Sequence, residues 1–328
     1  MTNIKKSISL IIIFILIAAT TAGCIKDTAD TTAGTVPSAM EVSTTDPVKE
    51  TEPEAAERTV TVTDMSGDTV TIKGEVKKII NLWPAGTSSF FVMGAGDLIA
   101  GLAVNNPGTM NSWTQLFYPD CVSIPALGGV TPSIESIIKL EPDLVIIHPN
   151  TVKDGFAQKI REVGIPAINI NFSDYESMIQ AYTVLGEVLG GEYQEKLSAW
   201  CSAVETKLAK VRSLTGNIEE TDRPVVYYIA GQTDSLTTTM SADSIISDWV
   251  ESAGGVHAAR IMELATTSEV TPEAVFNLNP DAIICGGVYQ HIEENALRTK
   301  DGWKDLKAVT NGRVYTNPYG CFNWDRFG

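Results

Sequence analysis

Histidine and cysteine, from which metal centres and thiol chemistry are usually built, are scarce: three histidines and five cysteines in 328 residues. The cysteines (Cys24, Cys121, Cys201, Cys285, Cys321) stand singly, odd in number and without a C-x-x-C pair, which excludes a disulfide framework and a zinc knuckle. Cys201 and Cys285 fall in apolar patterns and read as buried thiols. A bare metal ion needs several His, Asp, Glu or Cys side chains converging. Only His148 follows an apolar run, whereas His257 and His291 read as surface or loop residues, so no metal ligands are assigned.

Positive charge is also short. With 24 Lys and Arg against 40 Asp and Glu the formal charge is −16, and no basic stripe is present to displace counterions from phosphates. Nucleic acid is thereby excluded as a partner. Enzyme signatures are missing as well: there is no P-loop and no Gly-x-Ser-x-Gly elbow. Gly94-Ala95-Gly96 follows a helical stretch, where a dinucleotide loop would follow a strand. The chain reads as a non-enzyme with no cofactor.

One apolar run stands near the start, Ile8–Ala19, behind Lys5 and Lys6 and ahead of Ala22-Gly23. It is too short for a comfortable membrane span and has the layout of a signal peptide over residues 1–23. Residues 24–57 are rich in Thr, Pro, Asp and Glu and carry no apolar period, so they cannot bury enough surface to fold. They form a tether that reaches on the order of 30 Å.

What is present in strength is a repeat. Ser133-x-Glu135-x-x-Ile138-x-Leu140-x-Pro142-Asp143-x-x-Ile146 returns as Thr271-x-Glu273-x-x-Phe276-x-Leu278-x-Pro280-Asp281-x-x-Ile284. Glutamates 135 and 273 are as far apart as aspartates 143 and 281, so the offset is constant. Each copy parses as a short helix with a hydroxyl N-cap that stops before proline and turns into a strand. Leu144–Ile147 is apolar throughout, which suits a parallel strand covered on both faces. A module used twice implies two similar lobes with a cleft between them.

The remainder fits that frame. Thr59–Val62 and Thr69–Ile72 alternate around Met65–Asp68, a hairpin. Strands at 79–82, 98–102, 144–147 and 167–170 alternate with helices at 87–93 and 152–163, which makes residues 58–172 a first lobe. Ser173-Asp174-Tyr175-Glu176 reads as a capping box. The helix over 192–213 spaces Tyr193, Leu197, Trp200, Val204, Leu208 and Val211 along one side, so residues 173–215 link the lobes by a stiff helix. Residues 216–328 form the second lobe, with a strand at 225–230, a helix around 242–252, the repeat, a helix at 303–309 and a strand at 314–316. The fold class is α/β, two Rossmann-like lobes with mostly parallel sheets joined by one long interlobe helix.

The ending Thr21-Ala22-Gly23-Cys24 resembles a lipobox, with threonine in place of the usual leucine. Behind it stand Val60-Thr61-Val62-Thr63-Asp64-x-x-Gly67, both copies of Glu-x-x-x-x-Leu-x-Pro-Asp, and Trp303-x-x-Leu306-x-Ala308-Val309-x-x-Gly312-Arg313-Val314-Tyr315. In this order the motifs resemble the class III solute-binding proteins of ABC importers, which capture cobalamin, ferric siderophores, haem and related metal complexes. The resemblance covers Arg58–Gly328. It implies lipidation at Cys24, an extracytoplasmic place on the outer face of the cell membrane, a monomer, and delivery of a small metal complex to a permease dimer. Members of the family continue past the 324–326 region into a closing helix, so here the second lobe is expected either to be truncated or to leave apolar surface bare.

The family docks on its permease through one glutamate per lobe, and the matching positions are Glu135 and Glu273. Their first-turn position also opposes the helix dipole, the plainer explanation, and Lys139 at i+4 offers Glu135 an ordinary surface pair. The ligand is expected beyond the carboxyl ends of the parallel strands. Those ends carry Trp83, Pro84, Asn105, Asn106, His148 and Asn171 in the first lobe. In the second they carry Tyr228, Gly231, Gly287, Tyr289 and the stretch with Tyr319, Trp324 and Arg326, although Trp324 and Arg326 equally suit structural packing. Aromatic walls suit a bulky chelate, and Arg326 suits an anionic group on it. An oxyanion such as molybdate, a free metal ion, and a non-transport adhesion role stay open as alternatives.

Overall fold

The computed structural model describes residues 58–109, 112–151, 154–231, 235–286 and 290–317. The leader, the tether with Cys24, and the candidates Gly287, Tyr289, Tyr319, Trp324 and Arg326 lie outside the described residues.

Lobe 1 opens on the expected hairpin, β1 (Thr59–Thr63) paired antiparallel with β2 (Thr69–Lys73). The buried Asp64 carboxylate ties it down: it accepts from the Ser66, Asp68 and Asn169 N–H groups and pairs with Arg161, which also holds Asp68. There follow β3 (Ile79–Asn81), α1 (Thr87–Val92), β4 (Ile99–Leu102), α2 (Ser112–Phe117), α3 (Ile134–Ile138), β5 (Leu144–Ile146), α4 (Phe156–Glu162) and β6 (Ala167–Ile168). Two helices, α5 (Tyr175–Leu189) and α6 (Gly191–Thr215), lead to lobe 2. That lobe comprises β7 (Val225–Ile229), β8 (Thr238–Thr239), α7 (Ile245–Ser252), β9 (Val256–His257), α8 (Ala258–Ile261), β10 (Ser268–Glu269), α9 (Pro272–Leu278), β11 (Ala282–Cys285), α10 (Gln290–Thr299), α11 (Lys307–Thr310) and β12 (Val314–Thr316).

The two main sheets are parallel and have one topology. In lobe 1 the order is β4-β3-β5-β6, and in lobe 2 it is β9-β7-β11-β12. Each lobe's first parallel strand therefore has the second on one side and the third and fourth on the other. β8 and β10 form a separate antiparallel pair. Both faces of the lobe 1 sheet are covered. Ile79, Leu144 and Ile146 pack with Phe90, Met178 and Leu185, while Ile80, Val145 and Ile147 pack with Ile137, Phe156 and Ile160.

The repeat builds the same joint twice. Ser133 Oγ accepts the Ser136 N–H at 3.1 Å, and Thr271 Oγ1 accepts the Ala274 N–H at 3.2 Å. Each copy then turns through a left-handed residue before its proline, Glu141 at φ 49° and Asn279 at φ 45°. The shared aspartates reach back to a neighbouring strand. Asp143 Oδ2 accepts the Lys77 and Lys78 N–H groups at 2.7 and 2.8 Å ahead of β3, and Asp281 Oδ2 accepts the Val225 N–H at 2.9 Å where β7 begins. These aspartates are strand staples. Asp143→Ala leaves two backbone donors without their charged acceptor and should cost about 2 kcal/mol, read as a lower urea midpoint. Asp143→Asn should recover part of it.

α6 spans both lobes, as its stripe predicts. Leu197 and Cys201 are buried in the lobe 1 core, with Tyr193, Trp200 and Val204 half-buried beside them. Near its C-terminus Thr215 donates to the Ser252 carbonyl at 2.8 Å, on α7 of lobe 2.

Several expectations need correction. The capping box sits one residue later: Asp174 is the N-cap and exchanges hydrogen bonds with Ser177, because its carboxylate accepts the Ser177 N–H at 2.7 Å. The 303–309 helix divides into a turn at Trp303–Asp305 and α11. His257 is fully buried in β9, with Nδ1 2.7 Å from Ser247 Oγ, and burial lowers its pKa to about 4.

Candidate functional site

Both sheets put their strand order reversal beside the first parallel strand, the place where open α/β sheets form a crevice at the strands' carboxyl ends. In lobe 1 this edge is shaped by Asn81, which spacing alone did not single out. Its buried side chain donates to Thr87 Oγ1 at 2.9 Å and accepts the Trp83 N–H at 3.0 Å, locking the turn from β3 into α1.

Trp83 is a core residue. It is 7% exposed and meets Phe172 edge-on at 5.3 Å, and a Cβ on Gly86 would come within 2.6 Å of its ring. Its expected place in an aromatic wall is corrected: the turn that Asn81 fixes folds the indole inward. Pro84, Asn105 and Asn106 are exposed at the same edge, with Asn106 Oδ1 accepting the Gly108 N–H at 2.9 Å. His148 is half-buried after β5, and Nδ1 accepts the Asn150 N–H at 3.2 Å. Burial lowers its pKa, so the imidazole is neutral at pH 7 with Nε2 left to carry the hydrogen.

In lobe 2 the expectation for Tyr228 is also corrected. It is 1% exposed, meets Trp249 edge-on at 6.1 Å, and its hydroxyl covers Gly286, where an added Cβ would lie 1.8 Å away. The reason is strand periodicity: Tyr228 points from the sheet face into the layer under α7, and not out of the strand end. Tyr227 points to the other face and donates to the Leu236 carbonyl at 3.0 Å.

The group that sequence reasoning missed is Glu293 of α10. It is fully buried at the carboxyl ends of β7 and β11, and neither carboxylate oxygen has a hydrogen-bond partner among the described residues. A Cβ on Gly231 would lie 2.9 Å from Oε1. Burial raises its pKa from 4.5 to about 8. The signal was legible: Glu293 shares a helical face with Ala296 and Leu297, both buried.

Glu135 and Glu273 occupy matching exposed positions in the first turns of α3 and α9. Short turns join these helices to β5 and β11. A polar cleft of about 410 Å³ opens where α5, α6 and α7 meet, edged by Asp174 and Glu176 of α5, Arg212 of α6, and Asp243, Asp248 and Arg260 of lobe 2. Among the described residues no three His, Cys, Asp or Glu side chains gather in a way that could hold a metal ion.

Comparison with known proteins follows the same lines. Residues 105–319 match the family described as periplasmic binding protein. An uncharacterised ABC transporter substrate-binding lipoprotein of Bacillus subtilis (strain 168) is 27% identical over 263 residues, covering 78% of this chain and 77% of that one. A cobalamin-binding protein of Halobacterium salinarum is 24% identical over 238 residues, 69% of this chain and 58% of that protein. A periplasmic solute binding protein from Veillonella parvula superposes with a TM-score of 0.66 at 25% identity, covering 82% of this chain and 81% of its own.

Proposed function

The chain belongs to the periplasmic binding protein family, and from that premise we propose that it is the substrate-binding lipoprotein of an ABC importer for a metal complex. The observation that carries the reading is the doubled topology: two parallel sheets of one strand order, bridged by a 25-residue helix. The carboxyl ends of such sheets are where α/β folds bind ligands. The cobalamin-binding relative and the ABC-transporter relative support the ligand class and the transport role.

In this reading Cys24 carries the lipid and the tether holds the lobes at the outer face of the cell membrane. Asn105, Asn106 and His148 supply polar contacts from lobe 1. Tyr289, Tyr319, Trp324 and Arg326 are the aromatic and cationic contacts proposed for lobe 2. The protein works as a monomer, and Glu135 and Glu273 meet the permease. Because α6 is a continuous helix anchored at both ends, closure on ligand is a small rotation.

A melting screen with cyanocobalamin, haem, ferric citrate, a ferric hydroxamate siderophore, molybdate and free divalent ions tests this. A complex at a hundred times its Kd should raise the melting temperature by roughly 5 °C or more. Stabilisation by molybdate or a bare ion alone would replace the ligand class. No stabilisation by any of them would favour an adhesion role.

A further inference from the structure

A tie between the lobes stands beside the polar cleft, and neither ligand capture nor permease docking uses it. Asp248, on α7 of lobe 2, accepts the Tyr175 N–H at 2.7 Å through Oδ2, and its Oδ1 lies 3.4 Å from Arg212 Nη2 on α6. Arg212 Nε in turn lies 3.4 Å from Ser252 Oγ, also on α7. Tyr175 is the first residue of α5, whose N–H can find no acceptor within its own helix. The N-cap Asp174 is engaged with Ser177, so the α5 N-terminus relies on lobe 2 for this bond. A carboxylate at that position also meets the positive end of the helix dipole.

The placement matters for motion. The described contacts of α6 with α7 come from its last turns, where Arg212 reaches Asp248 and Ser252 and Thr215 reaches Ser252. Turning lobe 2 about that end is therefore the softest interlobe displacement. The Asp248–Tyr175 bond ties α7 to a second helix, α5, with a charged acceptor, so it resists the turn.

We propose that Asp248 is a positioning residue that sets the opening of the interlobe cleft before ligand arrives, by holding α7 against the N-terminus of α5. The consequence for binding rests on the reading that the ligand lies between the lobes. The consequence for the ligand-free protein does not.

Three readouts on Asp248→Ala, with Asp248→Asn as the isosteric variant, test it. Amide hydrogen exchange at residues 175–177 should quicken roughly tenfold in Asp248→Ala. The radius of gyration of the ligand-free protein by X-ray scattering should rise, and cyanocobalamin should dissociate roughly tenfold faster with little change in its association rate. Asp248→Asn keeps an acceptor of the same size and should fall between the two. Unchanged exchange at 175–177 with an unchanged scattering profile in both variants would overturn the proposal. Should cyanocobalamin not bind the wild type, that ligand falls while exchange and scattering still decide the role of Asp248.

Discussion

Reversing the charge of Glu135 and Glu273 together, as Glu135→Lys and Glu273→Lys, should reduce transport more than tenfold while the Kd for the ligand stays within twofold. The two carboxylates are exposed, occupy equivalent first turns of α3 and α9, and in the proposed reading face the permease and not the ligand. Their loss should therefore leave the ligand edge intact. A stability control separates docking from the plainer explanation. If the glutamates served only their own helix dipoles, each reversal would cost roughly 0.3–1 kcal/mol and nothing more. Uptake measured in cells that depend on this protein decides between the two. Transport at wild-type rate by the double variant would remove the docking role.

Glu293→Gln should abolish the fall in stability that the wild type shows between pH 6 and 8.5. The carboxyl is buried without a partner among the described residues and its pKa is raised to about 8, whereas in the unfolded chain it ionises near 4.5. The folded state thus holds a proton that the unfolded state has already released. Its stabilising effect is complete below pH 4.5, declines as pH rises, and is gone above about 8. Across pH 6 to 8.5 the loss is on the order of 3 kcal/mol. His257, lowered from 6.5 to about 4, adds stability as pH rises towards 6.5 and beyond, and because wild type and variant share it the comparison cancels it. Tyr227 and Cys285, both raised by burial, act only at higher pH. Denaturant midpoints at a series of pH values provide the measurement. Parallel slopes in wild type and Glu293→Gln would show that the carboxyl is not the titrating group.

Much of this architecture was legible because it follows from period and punctuation. The hydroxyl caps at Ser133 and Thr271, the apolar run at 144–147 and the stripe along α6 all have local causes, and local causes are visible in one dimension. The repeat predicted the pair of lobes. It could not say that Asp143 and Asp281 reach back to the start of another strand, because Lys77 and Val225 are far away in sequence.

The misreadings share a cause too. Trp83 and Tyr228 sit where a strand ends, yet an inward turn and a sheet-face orientation respectively bury them. His257 belongs to a two-residue strand, too short to show any alternation, so its burial had no signature. The same holds for β8 and β10, whose two residues each carry no period. Glu293 is the instructive case. Its helix is polar on average, and a carboxylate among charged neighbours looks solvated unless its face is traced to Ala296 and Leu297. The tie from Asp248 to Tyr175 joins residues of different lobes and leaves no trace in either segment.

Hydrogen exchange with and without the complex that stabilises the protein most in the melting screen tests the central claim directly. Exchange should slow at the carboxyl ends of both sheets together, around 81–84, 103–106 and 148–150 in lobe 1 and around 228–231 and 285–286 in lobe 2. Slowing confined to one lobe, or found at neither set of strand ends, would contradict a ligand held between matched halves.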